Sequence, residues 1–140
     1  MRKGFSLLTA IVFLVLIATI SALSISLSTD SVKQTGDVLL KNQAELLLRS
    51  GTEYAILAMS GHDYSTNCLE KINATYNGIF DINISIMYIG NGLPCNASHI
   101  LSNNISTSES NRTVVIDTVV TTNNVTSEPI RLHRRSIQKP

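Results

Sequence analysis

Hydrophobic and polar positions divide the chain into three stretches with different patterns. The first, from Phe5 to Leu27, has no ionisable side chain, and its apolar residues are not confined to one side of a helical projection. At about 1.5 Å of rise per residue, a helix of this length crosses the roughly 30 Å hydrocarbon layer of a bilayer. The pattern predicts a membrane-spanning helix.

The second stretch keeps a helical period but has one apolar face. Apolar or small residues recur at steps of three and four, at Val32, Leu40, Ala44, Leu47, Leu48, Gly51, Tyr54, Ala55 and Ala58. Much of the opposite side is charged, through Lys33, Asp37, Lys41, Glu45, Arg49 and Glu53. Both Lys41 and Arg49 lie four residues from Glu45 and can pair with it across one turn. We predict one continuous helix of roughly 55 residues that ends near Gly61.

The third stretch, after Gly61, has the composition of strands and turns. Alternation of apolar and polar residues predicts strands at Lys71–Tyr76, Phe80–Tyr88, Thr113–Thr122 and Pro129–Ile137. Val114, Ile116 and Val120 should share one face. Turn signals lie at Asn91-Gly92 and Asn123-Asn124, and the polar segment from Asn96 to Asn111 is predicted to be an exposed loop. The predicted fold class is α+β, with a long N-terminal helix, transmembrane in its first half, packed on a small antiparallel β-sheet.

Composition and motifs argue against an enzyme. A chain of 140 residues with 5% aromatics has room for one domain with a modest core, and a net charge of +1 does not indicate nucleic acid as a general partner. No Ser/His/Asp motif, glycine-rich phosphate loop or paired-carboxylate signature is present. His62 and His99 lie near the two cysteines, but zinc needs more ligands than this spacing offers. We expect no catalytic residues, no cofactor and no metal.

Charges around the apolar stretch predict its orientation. Arg2 and Lys3 precede it, whereas the first charge after it is Asp30. The positive-inside tendency therefore places the N-terminus in the cytoplasm and predicts that the chain after Asp30 is exported. Cys68 and Cys95, the only two cysteines, would then lie in an oxidising compartment and should pair. A closed loop of this length is worth roughly 3–4 kcal/mol.

Two other interpretations of the N-terminus remain open. One is a cleaved signal peptide, with Ala22-Leu23-Ser24 as a small-x-small cleavage site. Against it, the apolar stretch is longer than the usual ~7–15 residues and its leader is unusually short. The other is an ordinary uncleaved membrane anchor.

The residues Lys3-Gly4-Phe5-Ser6-Leu7-Leu8, the apolar run after them and the segment Asn42 to Gly51 together resemble the type IV pilin and type II secretion pseudopilin family. The resemblance covers about the first 60 residues. It implies cleavage by a prepilin peptidase between Gly4 and Phe5, and methylation of the new Phe5 amine. It also implies a leader at 1–4 and a filament-core role for the transmembrane helix at 5–28. The residue pattern adds an amphipathic continuation at 29–61 and a small β-rich exported domain with a disulfide loop at 62–140.

Thr9 departs from the family pattern, which generally has Glu at this position. That Glu is thought to neutralise the terminal amine of an adjacent subunit in the filament. A carboxylate without such a partner costs several kcal/mol in an apolar bundle, whereas a Thr hydroxyl can bond to its own helix. Thr9 therefore suits a subunit at the filament tip, although an internal minor subunit that has lost the charge fits as well. The departure also leaves methylation of Phe5 open.

The C-terminal segment is basic and offers a different functional class. Arg131, Arg134 and Arg135 lie in it and suggest contact with DNA phosphates or an acidic partner. A solvated strand edge, on which charges discourage unwanted pairing, explains the same residues. No aromatic residue lies among the charges to stack on single-stranded bases.

Six Asn-x-Ser/Thr triplets could accept glycans, although many are expected by chance in so polar a sequence. They begin at Asn73, Asn83, Asn96, Asn104, Asn111 and Asn124. Asn83 and Asn111 also have an acidic residue two positions before them, which resembles the longer bacterial acceptor sequence. Asn83 should be a poor acceptor if it is fixed inside a strand.

These observations together favour a minor pilin or pseudopilin that primes or caps a type IV pilus or type II secretion pseudopilus. Its expected partners are other pilin subunits, the prepilin peptidase and the inner membrane. The alternative is a membrane-anchored exported module that captures DNA or a secreted substrate through its basic tail.

Overall fold

The structure, a computed structural model, describes residues 2–106, 112–123 and 129–139, with side chains from residue 7 onward. The chain has one long helix followed by a sheet. Its elements are α1 (Arg2–Ser60), β1 (Lys71–Tyr76), β2 (Phe80–Gly90), a 3-10 turn (Ala97–His99), β3 (Ile100–Ser102), β4 (Arg112–Thr122) and β5 (Arg131–Gln138). The helix and all four predicted strands are present, with strand ends within two residues of those predicted.

The chain divides into two compact units, Met1–Leu39 and Leu40–Pro140. The division falls within α1, so the first unit is helix alone. The second combines the last 21 residues of α1 with the whole sheet. The predicted α+β arrangement is confirmed.

The sheet has the strand order β1-β2-β4-β5, with antiparallel pairing throughout that path. Short β3 pairs in parallel with the end of β2, on the edge that β1 leaves unpaired. Asn77 and Gly78 both have positive φ, at 52° and 68°, in the turn between β1 and β2. Glycine and asparagine tolerate this conformation best, which allows so tight a connection.

In the second unit, α1 packs one face against the sheet. Its buried positions are Ala44, Leu48, Gly51, Thr52, Ala55 and Met59. Gly51 marks a close approach, because a Cβ there would lie 3.3 Å from methyl carbons of both Ile82 and Thr118. The Thr52 hydroxyl hydrogen-bonds to Leu48 O and lies 3.2 Å from the Thr118 hydroxyl, so the buried polar groups at this crossing are satisfied. Val114, Ile116 and Val120 are fully buried on the facing side of β4, as predicted.

Two details of the sequence interpretation are wrong. Val32 and Tyr54, both assigned to the apolar face, are 70% and 57% exposed. The segment predicted as a loop from Asn96 contains the 3-10 turn, in which His99 is buried, and β3. The disulfide and a hydrogen bond that the His99 ring nitrogen Nδ1 donates to Ile86 O fix this segment despite its polar composition. Residues 107–111 of the same prediction lie outside the described part.

Candidate functional site

The first unit exposes apolar side chains on every side of the helix. All described residues from Leu7 to Leu27 are exposed, including large side chains such as Phe13, Leu14 and Leu23. In length and composition this helix could cross a membrane. Water is a poor solvent for such a surface, so it needs lipid or other apolar chains around it.

Hydroxyl groups interrupt this apolar surface, and several of them donate to carbonyls of their own helix. Thr19 bonds to Leu16 O, and the Ser21 and Ser24 hydroxyls bond to carbonyls four residues earlier, at 2.8 to 2.9 Å. Thr29 does the same one turn further on. These polar groups therefore enter an apolar environment with their hydrogen-bonding capacity already used.

The predicted processing site lies at the start of the helix. Gly4 and Phe5 fall within the first turn of α1, and Thr9 lies one turn later with its side chain exposed. The placement of the Phe5 side chain lies outside the described part.

The outward face of α1 in the second unit is also partly apolar. Leu46 and Leu57 lie opposite the buried face, Tyr54 lies at its flank, and all three side chains are more than half exposed. On this unit no described residue covers them. The predicted Glu45–Arg49 ion pair is confirmed at 2.8 Å beside this stripe, whereas no ion pair forms between Lys41 and Glu45.

The disulfide predicted between Cys68 and Cys95 is confirmed, with 4.9 Å between the Cα atoms. It joins the segment before β1 to the segment before the 3-10 turn. Glu70 strengthens the same junction, because its side chain accepts a hydrogen bond from Asn96 N and its carbonyl accepts one from Ile86 N. Within the described ranges no three potential metal ligands cluster, and His62 instead contacts Asn67.

The face of the sheet turned away from α1 carries rows of side chains that the register aligns across the strands. One row contains Lys71, Ser85, Asp117 and Arg135. The next contains Asn73, Asn83, Val119 and His133. Beyond Lys71 the face becomes apolar, with Met87, Val115 and Ile137 in one row. We call this side of the sheet the outer face.

Asp117 lies at the centre of a charged cluster on the outer face. The Arg135 guanidinium donates to both of its carboxylate oxygens at 2.8 and 2.7 Å, and the His133 Nε2 lies 2.9 Å from one of them. Hydrogen bonds from Arg135 and then His133 hold the pKa of the Asp117 carboxyl below its usual value. This cluster joins β4 to β5. Sequence reasoning missed it because only the register brings positions 117, 133 and 135 together.

The three arginines of the predicted basic tail do not share one surface. Successive residues of a strand point to opposite faces, so Arg131 and Arg135 lie on the outer face and Arg134 on the other. Arg135 is already held by Asp117. A flat phosphate-binding patch made of all three is therefore not present along β5.

The two glycosylation candidates have different outcomes. Asn83 lies in the middle of β2, paired with Asn73 on one side and Val119 on the other, although its side chain is exposed. Asn111 lies outside the described residues. Among the other triplets, Asn96 accepts a hydrogen bond from Ser98 N at the start of the 3-10 turn.

Comparison with known proteins gives no further identification. No family model, curated protein or solved structure matches this chain. The fold, the apolar helix and the outer face of the sheet are therefore the basis on which its function must be inferred.

Proposed function

We propose that this protein is a minor pilin or pseudopilin, a structural subunit of a type IV pilus or type II secretion pseudopilus. The observation that carries the proposal is the continuous helix Arg2–Ser60, which is apolar on all sides at first and then buries one face against a sheet. A subunit of this kind is held in the inner membrane with its N-terminus in the cytoplasm, and its helix later joins the core of a filament.

The outward stripe of Leu46, Tyr54 and Leu57 supports the same proposal. A helix that only joined an anchor to a domain would gain nothing from exposed apolar side chains at these positions. A helix packed among those of neighbouring subunits would bury them, at roughly 25 cal/mol for each Å² removed from water. Other pilin subunits are therefore the partners that we propose, with the prepilin peptidase acting earlier on Gly4 and Phe5.

Thr9 bears on the position of the subunit within the filament. At the tip there is no subunit above to supply an amine, so a carboxylate at this position would lack a partner and Thr9 avoids that cost. We propose the tip or its immediate neighbourhood, where a priming or capping subunit would lie.

Processing is the direct test of the proposal. The full-length chain would be produced with and without a prepilin peptidase, and its mature N-terminus read by mass spectrometry. We expect Phe5 as the first residue only with the peptidase. Gly4→Val should block cleavage, whereas Gly36→Val, the same change at an open position in the helix, should leave it intact. A chain that begins at Ile25, or that retains Met1 with the active peptidase, would refute the assignment.

The proposed tip position of the subunit is tested by introducing at position 9 the carboxylate that the family generally has there. At the tip, Thr9→Glu introduces a carboxylate without an amine above it, so copies per filament should fall or stay constant. Thr9→Val is the uncharged control, and quantitative immunoblots of purified filaments provide the count. A clear rise with Thr9→Glu alone would place the subunit inside the shaft and leave the pilin assignment intact.

A further inference from the structure

Four polar side chains form a compact group on the outer face of the sheet, where β1 pairs with β2. They are Lys71, Asn73, Asn83 and Ser85, and we call them the polar quartet. The register pairs Lys71 with Ser85 and Asn73 with Asn83. Adjacent strands are about 4.8 Å apart and alternate residues about 6.7 Å apart, so the quartet outlines a small rectangle. This is about the footprint of one pyranose ring.

The functional groups of the quartet are not engaged by the protein. Lys71, Asn73 and Asn83 are exposed, and within the described ranges none of the four side chains forms a hydrogen bond or ion pair. Together they offer an ammonium group, two carboxamides and a hydroxyl. Asn side chains both donate and accept, which suits the paired hydroxyls of a sugar.

The quartet lines a shallow, open concavity of about 370 Å³ on the surface of the sheet. Val119 lies on its floor and provides an apolar contact, while Asp117 borders it. Because Arg135 and His133 already bind the Asp117 carboxylate, its negative charge is compensated. The Lys71 ammonium is then the charge without a partner, and it favours an anionic ligand.

We propose that the polar quartet binds an acidic sugar unit of a polysaccharide, with the sugar carboxylate on Lys71 and its hydroxyls on Asn73, Asn83 and Ser85. The apolar C–H face of the ring packs on Val119. An extended acidic peptide fits less well, because peptides usually add to the free edge of a sheet through main-chain hydrogen bonds, and the quartet lies on a face. The proposal is independent of the filament assignment, since it depends only on the sheet.

The test measures binding of a galacturonate hexamer to the full-length chain in non-ionic detergent, by isothermal titration calorimetry. The probe is compared with its uncharged methyl ester and with poly-L-glutamate of equal charge. Two variants remove the recognition, Lys71→Gln by removing the cation and Asn83→Asp by adding a repelling charge. Lys41→Gln, an equal loss of charge at an exposed helix position, is the matched control.

We expect the hexamer to bind and Lys71→Gln to weaken its binding about tenfold, as loss of one charge-assisted hydrogen bond does. Asn83→Asp should also weaken binding about tenfold, through repulsion between its carboxylate and that of the sugar. Lys41→Gln should bind as the parent does, and the methyl ester and poly-L-glutamate should bind more weakly than the hexamer. The Lys71 and Asn83 side chains are both exposed. Unchanged melting temperatures would confirm that the two variants fold. Absence of hexamer binding, an equal loss with Lys41→Gln, or equal binding of poly-L-glutamate or the methyl ester would each overturn the proposal.

Discussion

Residues 7–39 and residues 40–60 belong to one helix, but their apolar side chains have different surroundings. In residues 7–39, Ile17 is 61% exposed and its neighbours on all sides of the helix are also exposed. No described residue of the same unit covers them. In residues 40–60, the sheet buries Ala44 and Ala55 completely. The comparison teaches that secondary structure alone does not decide the role of an apolar residue. The apolar side chains of residues 7–39 remain exposed on the helix, whereas those on one face of residues 40–60 form part of the core beneath the sheet.

The largest expected difference comes from matched alanine substitutions. Ile86→Ala removes a side chain that is 0% exposed in the second unit and should lower the free energy of unfolding by about 2–5 kcal/mol. Ile17→Ala removes an equal volume from an exposed position and should leave the unfolding of the sheet unchanged. Thermal unfolding in detergent micelles, followed by the strand signal in circular dichroism, measures both. A similar loss from Ile17→Ala would show that the two stretches are not independent.

The disulfide provides a second contrast between the two units, because both of its cysteines lie in Leu40–Pro140 and it should stabilise that unit alone. Replacing Cys68 and Cys95 together with Ser should cost about 3–4 kcal/mol, since the open chain regains the entropy of a loop with a sequence separation of 27. Alkylation before and after reduction verifies that both thiols are paired in the parent. Urea unfolding of parent and double variant measures the difference, and equal midpoints would contradict it.

Substitutions of two glycines in the helix should change its stability in opposite directions. Gly51→Val should destabilise the second unit by about 1–3 kcal/mol, because its new side chain meets methyl groups of Ile82 and Thr118. Gly36→Ala has open space around it and should stabilise the helix by up to about 1 kcal/mol through its backbone. Helical circular dichroism during heating distinguishes the two. Equal effects would mean that the sheet does not restrict position 51.

The smallest effect concerns pH. A carboxyl with a lowered folded pKa stabilises the fold above its unfolded pKa, near 4, and loses that contribution as pH falls through the folded pKa. Asp117→Asn should therefore cost about 1 kcal/mol at neutral pH, discounted because Arg135 is exposed, and flatten the loss of stability in acid. Melting temperatures between pH 2 and 7 test this. A parallel decline in parent and variant would contradict it.

The sequence predicted those parts of the fold that depend on local periodicity. Alternation in Phe80–Tyr88 and Thr113–Thr122 located the two central strands, and the three-and-four spacing located Ala44, Leu48 and Ala55 on the buried face. Tyr54 was misassigned because its aromatic ring was counted as an apolar residue of the buried face. The polar Thr52 is buried against the sheet instead, and Tyr54 is exposed. The periodicity argument considers only hydrophobicity, whereas the limited space between α1 and the sheet also favours small residues.

Parts of the structure that depend on pairing between distant segments could not be predicted in the same way. His99 is buried because the disulfide and Ile86 O fix a segment that is polar in composition. The polar quartet needs the register of β1 and β2, which places Asn73 beside Asn83. One local signal was present but overlooked, since Asn77-Gly78 separates two alternating stretches and marks the hairpin that sets this register.

The self-contained hydroxyl groups of the first stretch have a consequence for its solubility in different media. Since Thr19, Ser21 and Ser24 bond to their own backbone, these three hydroxyl groups need no acceptor from their surroundings. Passage of these groups from one apolar environment to another therefore breaks no polar contact and exchanges only one apolar neighbour for another. An apolar surface with its hydroxyl donors satisfied in this way can move between such environments at little enthalpic cost.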